Sequence, residues 1–175
     1  MIVDQPRSYY VFVYNSRIYE GYDYIVYQGK HLTNKEYLEH WGKWLVDGSR
    51  HKFDELAGRL DSYVEAGNIA CIKYERKPRT YLGKAQCTMC VYCDERCRGD
   101  VLRIILATNG GEKPRAWRYD RETINKWLPG GELLEHWIQS ERLNDAEAAK
   151  VREDSHKKFS VILDHPDNPF AGWPQ

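Results

Sequence analysis

Apolar residues in this chain recur at two different spacings, and the switches between them mark its elements. Tyr9 to Tyr14 reads Tyr-Tyr-Val-Phe-Val-Tyr, a run dense in strand formers. Ile18 to Tyr27 has the same composition with Gly21 as a break, so a second strand is expected there. Thr33 followed at the third position by Glu36 is a capping box, which predicts a short helix with Tyr37, Leu38 and Trp41 on its apolar side. Gly42 is expected to end that helix. Lys43 to Asp47 then reads as a strand closed by Gly48 and Ser49.

Phe53, Leu56, Ala57, Leu60, Tyr63 and Val64 follow the 3,4 spacing of one helical face, and Gly67 stands where a C-terminal cap glycine belongs. Strands are expected over Ile69–Tyr74, Gln86–Cys93 and Arg115–Tyr119, with a turn or helix around Asp120–Leu128. Asp100 is expected to cap a helix over Val101–Thr108, stopped by Asn109-Gly110-Gly111. Asn144–Lys158 reads as an exposed, charged helix. The last residues, with Pro166, Pro169 and Pro174, read as an extended tail anchored by Phe170 and Trp173. The order predicts an α+β fold, a curved antiparallel sheet with helices packed on one face. Residues 1–140 would form one domain, and 141–175 a charged helix and Pro-rich tail.

Composition narrows the function classes. The chain has 175 residues, enough for a core without disulfides or metal. Its 26 basic and 26 acidic residues cancel, which argues against non-specific coating of nucleic acid and leaves room for a local basic patch. The 13 tyrosines and six tryptophans are unusual, and aromatic rings are what base-stacking sites are made of. The N-terminal residues lack a secretory pattern and no apolar run suffices for a membrane span, so a cytoplasmic location is expected and a membrane partner is not.

Two motifs carry candidate chemistry. Cys87, Cys90, Cys93 and Cys97 have the C-x2-C-x2-C-x3-C spacing of an iron–sulfur ligand set, and four convergent thiolates would also suit zinc. The same residues sit in a stretch with strand composition. A strand would turn Cys87 and Cys93 to one face and Cys90 to the other. Cys90 therefore decides between the readings, and no cofactor is expected on the strand reading. The second motif is basic: Lys73, Arg76, Lys77, Arg79 and Lys84, with Tyr74 and Tyr81 interleaved, offers cations for phosphate. Trp44 and Trp117 read as core, and Trp41 as the better surface-exposed aromatic. No G-x-S-x-G, P-loop or H-E-x-x-H occurs, and the six histidines are scattered, so no catalytic residue can be named.

The Gly42-Lys43-Trp44-Leu45-Val46 strand, the helix Phe53–Val64, the strand Ile69–Tyr74 and the passage from Cys87–Cys93 into Asp100–Leu106 together resemble the translation initiation factor 4E fold. The basophilic-leukaemia-expressed protein family is the most similar branch. The likeness covers roughly Leu32 to Tyr119. It implies an α+β fold and phosphate contacts by Lys73, Arg76, Lys77 and Arg79. Cap-binding members hold a methylated guanine between two tryptophans and bind its edge with a glutamate. Where one tryptophan and that glutamate would stand, this chain has Tyr37 and no Trp–Glu pair. The leading expectation is a protein that binds a nucleotide, an RNA end or another phosphate ligand through Lys73, Arg76, Lys77, Arg79 and Trp41. The alternatives are a cysteine-cluster zinc or iron–sulfur protein and a phosphate-processing enzyme of phosphothreonine-lyase type.

Overall fold

The computed structural model describes residues 1–17 and 23–174. The strand expected from Ile18 is outside this range over 18–22, and its remaining part is a two-residue strand, β3 (Val26–Tyr27), paired with β4 (Lys30–His31).

The main sheet has six antiparallel strands in the order β1-β2-β6-β7-β5-β8. They are β1 (Ile2–Val3), β2 (Tyr10–Tyr14), β5 (Trp41–Gly48), β6 (Cys71–Glu75), β7 (Cys87–Asp94) and β8 (Ala116–Tyr119). Five of them, β2, β5, β6, β7 and β8, follow the runs read as strands to within two residues at each end, and β1 was not expected. The start of β5 is where a local reading differs, because it begins at Trp41. Helix α1 (Asn34–His40) carries the expected Thr33–Glu36 capping box but stops at His40, and the chain enters β5 without a loop. Gly42 therefore does not end the helix. It lies inside β5, where an added Cβ would come within 2.5 Å of the Trp117 ring and 2.6 Å of the Arg118 carbonyl oxygen. A close approach from β8 is what demands glycine there.

Side chains alternate across each strand, so every strand contributes to two surfaces. Val11, Val13, Val46, Ile72, Tyr74, Met89 and Val91 face α2 (Arg50–Glu65), whose Phe53, Leu56, Ala57, Leu60 and Val64 are all buried against them. Ser49 caps α2, and Gly67 follows it with φ +78°, a conformation that glycine adopts at little cost. Helix α3 adds Val101 and Ile105 to this core. It spans Arg98–Thr108, so Asp100 lies in its first turn and Cys97, not Asp100, stands at the cap. Each such aliphatic or aromatic side chain contributes about 1.5–3 kcal/mol when fully buried, and the layer is the main source of stability.

Helices are not confined to that face. Helices α1, α4 (Asp120–Trp127) and α6 (Asp145–Leu163) build a second cluster around Ile25, Leu32, Tyr37, Trp41, Ile124, Phe159, Ile162 and Phe170, beside Tyr92 on the opposite side of the sheet. Helix α5 (Glu132–Ser140) packs Leu134 and Ile138 on Ala148 of α6. The tail joins the same cluster. The Phe170 backbone amide donates to the Leu32 carbonyl at 2.9 Å, and its ring stacks on Tyr37 with centroids 3.6 Å apart. Phe159, Ile162 and Phe170, all beyond residue 140, are thus part of the core. Among the described residues no helix is long and apolar enough to cross a membrane.

Candidate functional site

The face of the sheet away from α2 and α3 is an open groove of about 870 Å³. Its floor follows directly from strand alternation. Register pairs Phe12 with Lys73, Lys73 with Cys90, and Cys90 with Leu45, which forms one row across four strands. The next row toward α1 is Tyr14, Cys71, Tyr92 and Lys43. In the other direction Tyr10 pairs with Glu75, and Asp47 with Thr88. The rim is made by α4, α5, the tail and the β6–β7 connection, including Trp127, Trp137, Trp173 and Leu82. Trp137 and Leu82 at this rim are 41 % and 39 % exposed.

Lys73 stands in the middle of the floor. Its ammonium lies 4.7 Å from the Tyr10 ring centroid and 5.8 Å from that of Tyr92. Among the described residues no carboxylate is within ion-pair distance of it, so the two rings hold its charge by cation–π attraction. Beside it on β2, Phe12 and Tyr14 stack with centroids 5.4 Å apart and planes at 8°. Lys84 points at the same floor, its ammonium 3.4 Å from the Thr88 hydroxyl.

The other groove cations are matched. Arg79 pairs with Glu75 at 2.8 Å and donates to the Tyr10 hydroxyl. Arg115 pairs with Asp47 at 3.0 Å. Lys43 pairs with Asp120 at 2.5 Å, with side chains only 12 % and 9 % exposed. Burial pulls the Lys43 ammonium down, but Asp120, with Cys90 and Glu122, outweighs it and leaves its pKa above the ordinary lysine value. The same carboxylate accepts the Tyr37 hydroxyl at 2.6 Å, and Trp173 Nε1 donates to that hydroxyl at 2.8 Å. Burial, reinforced by Asp120, raises the Tyr37 pKa well above 10. This closed network ties α4, α1, β5 and the tail together at one end of the groove.

The residues expected from the basic loop are divided by the fold. Lys73 and Arg79 line the groove. Arg76 turns to the N-terminal segment, where it pairs with Asp4 and donates to the Gln5 carbonyl at 2.5 Å. Lys77 is exposed on the connection after β6, and its carbonyl accepts the Tyr9 hydroxyl at 2.9 Å. Trp41, expected at the surface, is 1 % exposed and packs in the second cluster, and it also borders the groove at its α1 end. It begins β5 directly after α1, a position that turns its ring inward. Lys43, Phe12, Tyr92 and Asp120 were not singled out from the sequence. A lysine at the period-2 position of an otherwise apolar strand was the available signal for Lys43.

Cys87, Cys90 and Cys93 lie on one strand, as their composition suggested. Cys87 and Cys93 are buried in the helix-backed core, and Cys90 opens on the groove. Cys97 follows in the turn before α3, its thiol donating to the Asp94 carbonyl at 3.1 Å. The four sulfurs do not converge, because convergence would require β7 to leave both of its neighbours in the middle of the sheet. Among the described residues no group of three or more metal-ligating side chains is gathered at one point. Burial raises the Cys90 thiol pKa, the direction opposite to that of an activated nucleophile. The arrangement offers two ammonium groups, those of Lys73 and Lys84, with no carboxylate partner among the described residues, together with several aromatic rings and room for a small ligand. No family model matches the chain, and neither a curated protein nor a solved structure shows significant similarity to it.

Proposed function

We propose that the groove binds a phosphate-bearing aromatic ligand, a nucleotide or an RNA end. The observation that carries this reading is Lys73: a cation on a sheet floor, held by two tyrosine rings and lacking a carboxylate partner among the described residues. A partly desolvated charge without a counterion is unfavourable unless something completes it. A ligand phosphate over Lys73 would do so, and the stacked Phe12 and Tyr14 rings beside it suit a planar base, since stacking on an aromatic side chain contributes about 1–3 kcal/mol per base. Kinship with the initiation factor 4E-like proteins belongs to the same proposal and rests on the order of elements. Of the four basic positions expected from that likeness, phosphate contact is proposed for Lys73, because Arg79 lines the groove but is matched by Glu75, and Arg76 and Lys77 stand elsewhere.

The test is a thermal-shift panel of nucleotides, short RNAs and inorganic phosphate on wild type and Lys73→Ala. Stabilisation of wild type that the variant loses supports the reading. A panel in which no phosphate ligand shifts the wild-type midpoint contradicts it.

A further inference from the structure

The charge pattern of the groove goes beyond a general preference for phosphate. Of its five cationic side chains, Lys43, Arg79 and Arg115 are matched by Asp120, Glu75 and Asp47. Lys73 and Lys84 are left. Lys84 approaches Thr88, which is two residues before Cys90 on the same strand face, and Cys90 is the register partner of Lys73. Lys73 and Thr88 are therefore diagonal neighbours, about 7–8 Å apart, and the Lys73 side chain and the Lys84 ammonium beside Thr88 face the same stretch of floor. The carboxylates then set a limit on an anion bound there. Glu75 and Asp47 flank the Lys84 end, where they accept the Thr88 amide at 2.9 Å and the Thr88 hydroxyl at 3.3 Å, and Asp120 stands at the other end beyond Cys71 and Tyr92. A chain of phosphoryl groups running either way from the two lysines meets a carboxylate.

We propose that the groove is selective for a single terminal phosphomonoester on a nucleoside, free or at the end of an RNA, over both the bare nucleoside and the polyphosphate. The inference rests on the reading above. A phosphomonoester carries a charge of about −1.5 to −2 at neutral pH, which two ammonium groups balance. Phosphates beyond the first meet only cations already matched by carboxylates, Arg79 by Glu75 and Lys43 by Asp120, and gain no unmatched charge. The phosphate lies between Lys73 and Lys84, and the base lies toward Phe12 and Tyr14.

The experiment is isothermal titration calorimetry at one fixed ionic strength. The ligands are the four nucleosides, their 5′-monophosphates and 5′-triphosphates, and a dinucleotide with and without a 5′-phosphate. The expected result is a monophosphate affinity about tenfold or more above that of the matching nucleoside and triphosphate. Lys84→Ala, a change at a half-exposed side chain, reduces that preference over the nucleoside several-fold. Affinity also falls as pH drops through the second phosphate pKa, about 6, because the dianion is what the two lysines match. The free monophosphate and the 5′-phosphorylated dinucleotide tell a metabolite from an RNA end, and preference for either over its unphosphorylated form supports the proposal. A triphosphate that binds as tightly as the monophosphate overturns it and leaves the general reading intact. A nucleoside that binds as tightly overturns it too. If no nucleotide binds, both fail.

Discussion

The two faces of the sheet are made by alternate residues of the same strands, and they differ in nearly every physical respect. On β6, Ile72 and Tyr74 meet α2, whereas Cys71, Lys73 and Glu75 look into the groove. On β7, Cys87, Met89, Val91 and Cys93 are core, and Thr88, Cys90 and Tyr92 are groove. The helix-backed face is filled by buried aliphatic and aromatic side chains. The groove face has lysines, carboxylates and rings at positions where closure by another helix would bury charge. Sheets can leave one face polar, but a solvated face does not need a lysine held between two rings. The contrast teaches that folding energy and binding capacity are separated here by strand parity.

The largest expected effect breaks the closed face. Phe53→Ala removes a fully buried ring under Tyr74 and is expected to cost about 3–5 kcal/mol. That is a fall of roughly 10 °C or more in the thermal midpoint for a chain of this size, read by circular dichroism. Nearly as large is Asp120→Ala at the closed end of the groove, which leaves Lys43 without its counter-charge and removes an acceptor from Tyr37. Breaking a buried pair on one side costs about 3–5 kcal/mol. The double variant Lys43→Met with Asp120→Leu should recover much of the loss, and a double variant no better than the single would show that the pair is not the cause.

Lys73→Ala sharpens the contrast from the other side. No carboxylate loses a partner, so its stability change is expected within about 0.5 kcal/mol, while affinity for a phosphorylated nucleoside falls at least about tenfold. A large stability loss would place Lys73 among the structural residues. The smallest effect lies outside both faces, where Glu135 of α5 pairs with Arg152 of α6 at 2.6 Å. The hydrogen bonds from Arg152 and the Gly130 amide hold the Glu135 carboxyl down at about 2, below its ordinary 4.5. A carboxyl depressed on folding contributes stability above its unfolded pKa and loses that contribution as pH falls toward the folded one. The midpoint difference between wild type and Glu135→Gln should therefore be constant above pH 4.5 and shrink toward pH 2.

Much of the closed face was legible in the sequence, because burial writes a period. The 3,4 spacing from Phe53 to Val64 gave α2, and runs of strand formers gave β2, β6 and β7 to within two residues. The Thr33–Glu36 capping box and Gly67 were legible as local chemistry. The start of β5 was not, because a helix passing straight into a strand leaves no turn signal, and Gly42 served a close approach and not a stop. The groove was legible only in fragments. Lys73 and Arg79 belonged to a basic run, but which members of the run face inward depends on strand parity and on Asp4, a partner 72 residues from Arg76. The cysteine spacing showed the reverse: its string matched a ligand set, while the strand that carries it turns Cys90 away from Cys87.

The most direct test of the division between faces is ligand protection of Cys90. Wild-type protein is alkylated slowly with and without a saturating nucleoside monophosphate, and each cysteine is followed by peptide mapping. Cys90 opens on the groove beside Lys73, and Cys97 is also half-buried but lies outside the groove. The account predicts that ligand slows modification of Cys90 several-fold and leaves Cys97 unchanged. Equal rates at Cys90 with and without bound ligand would contradict it, because the ligand would then occupy some surface other than this face of the sheet.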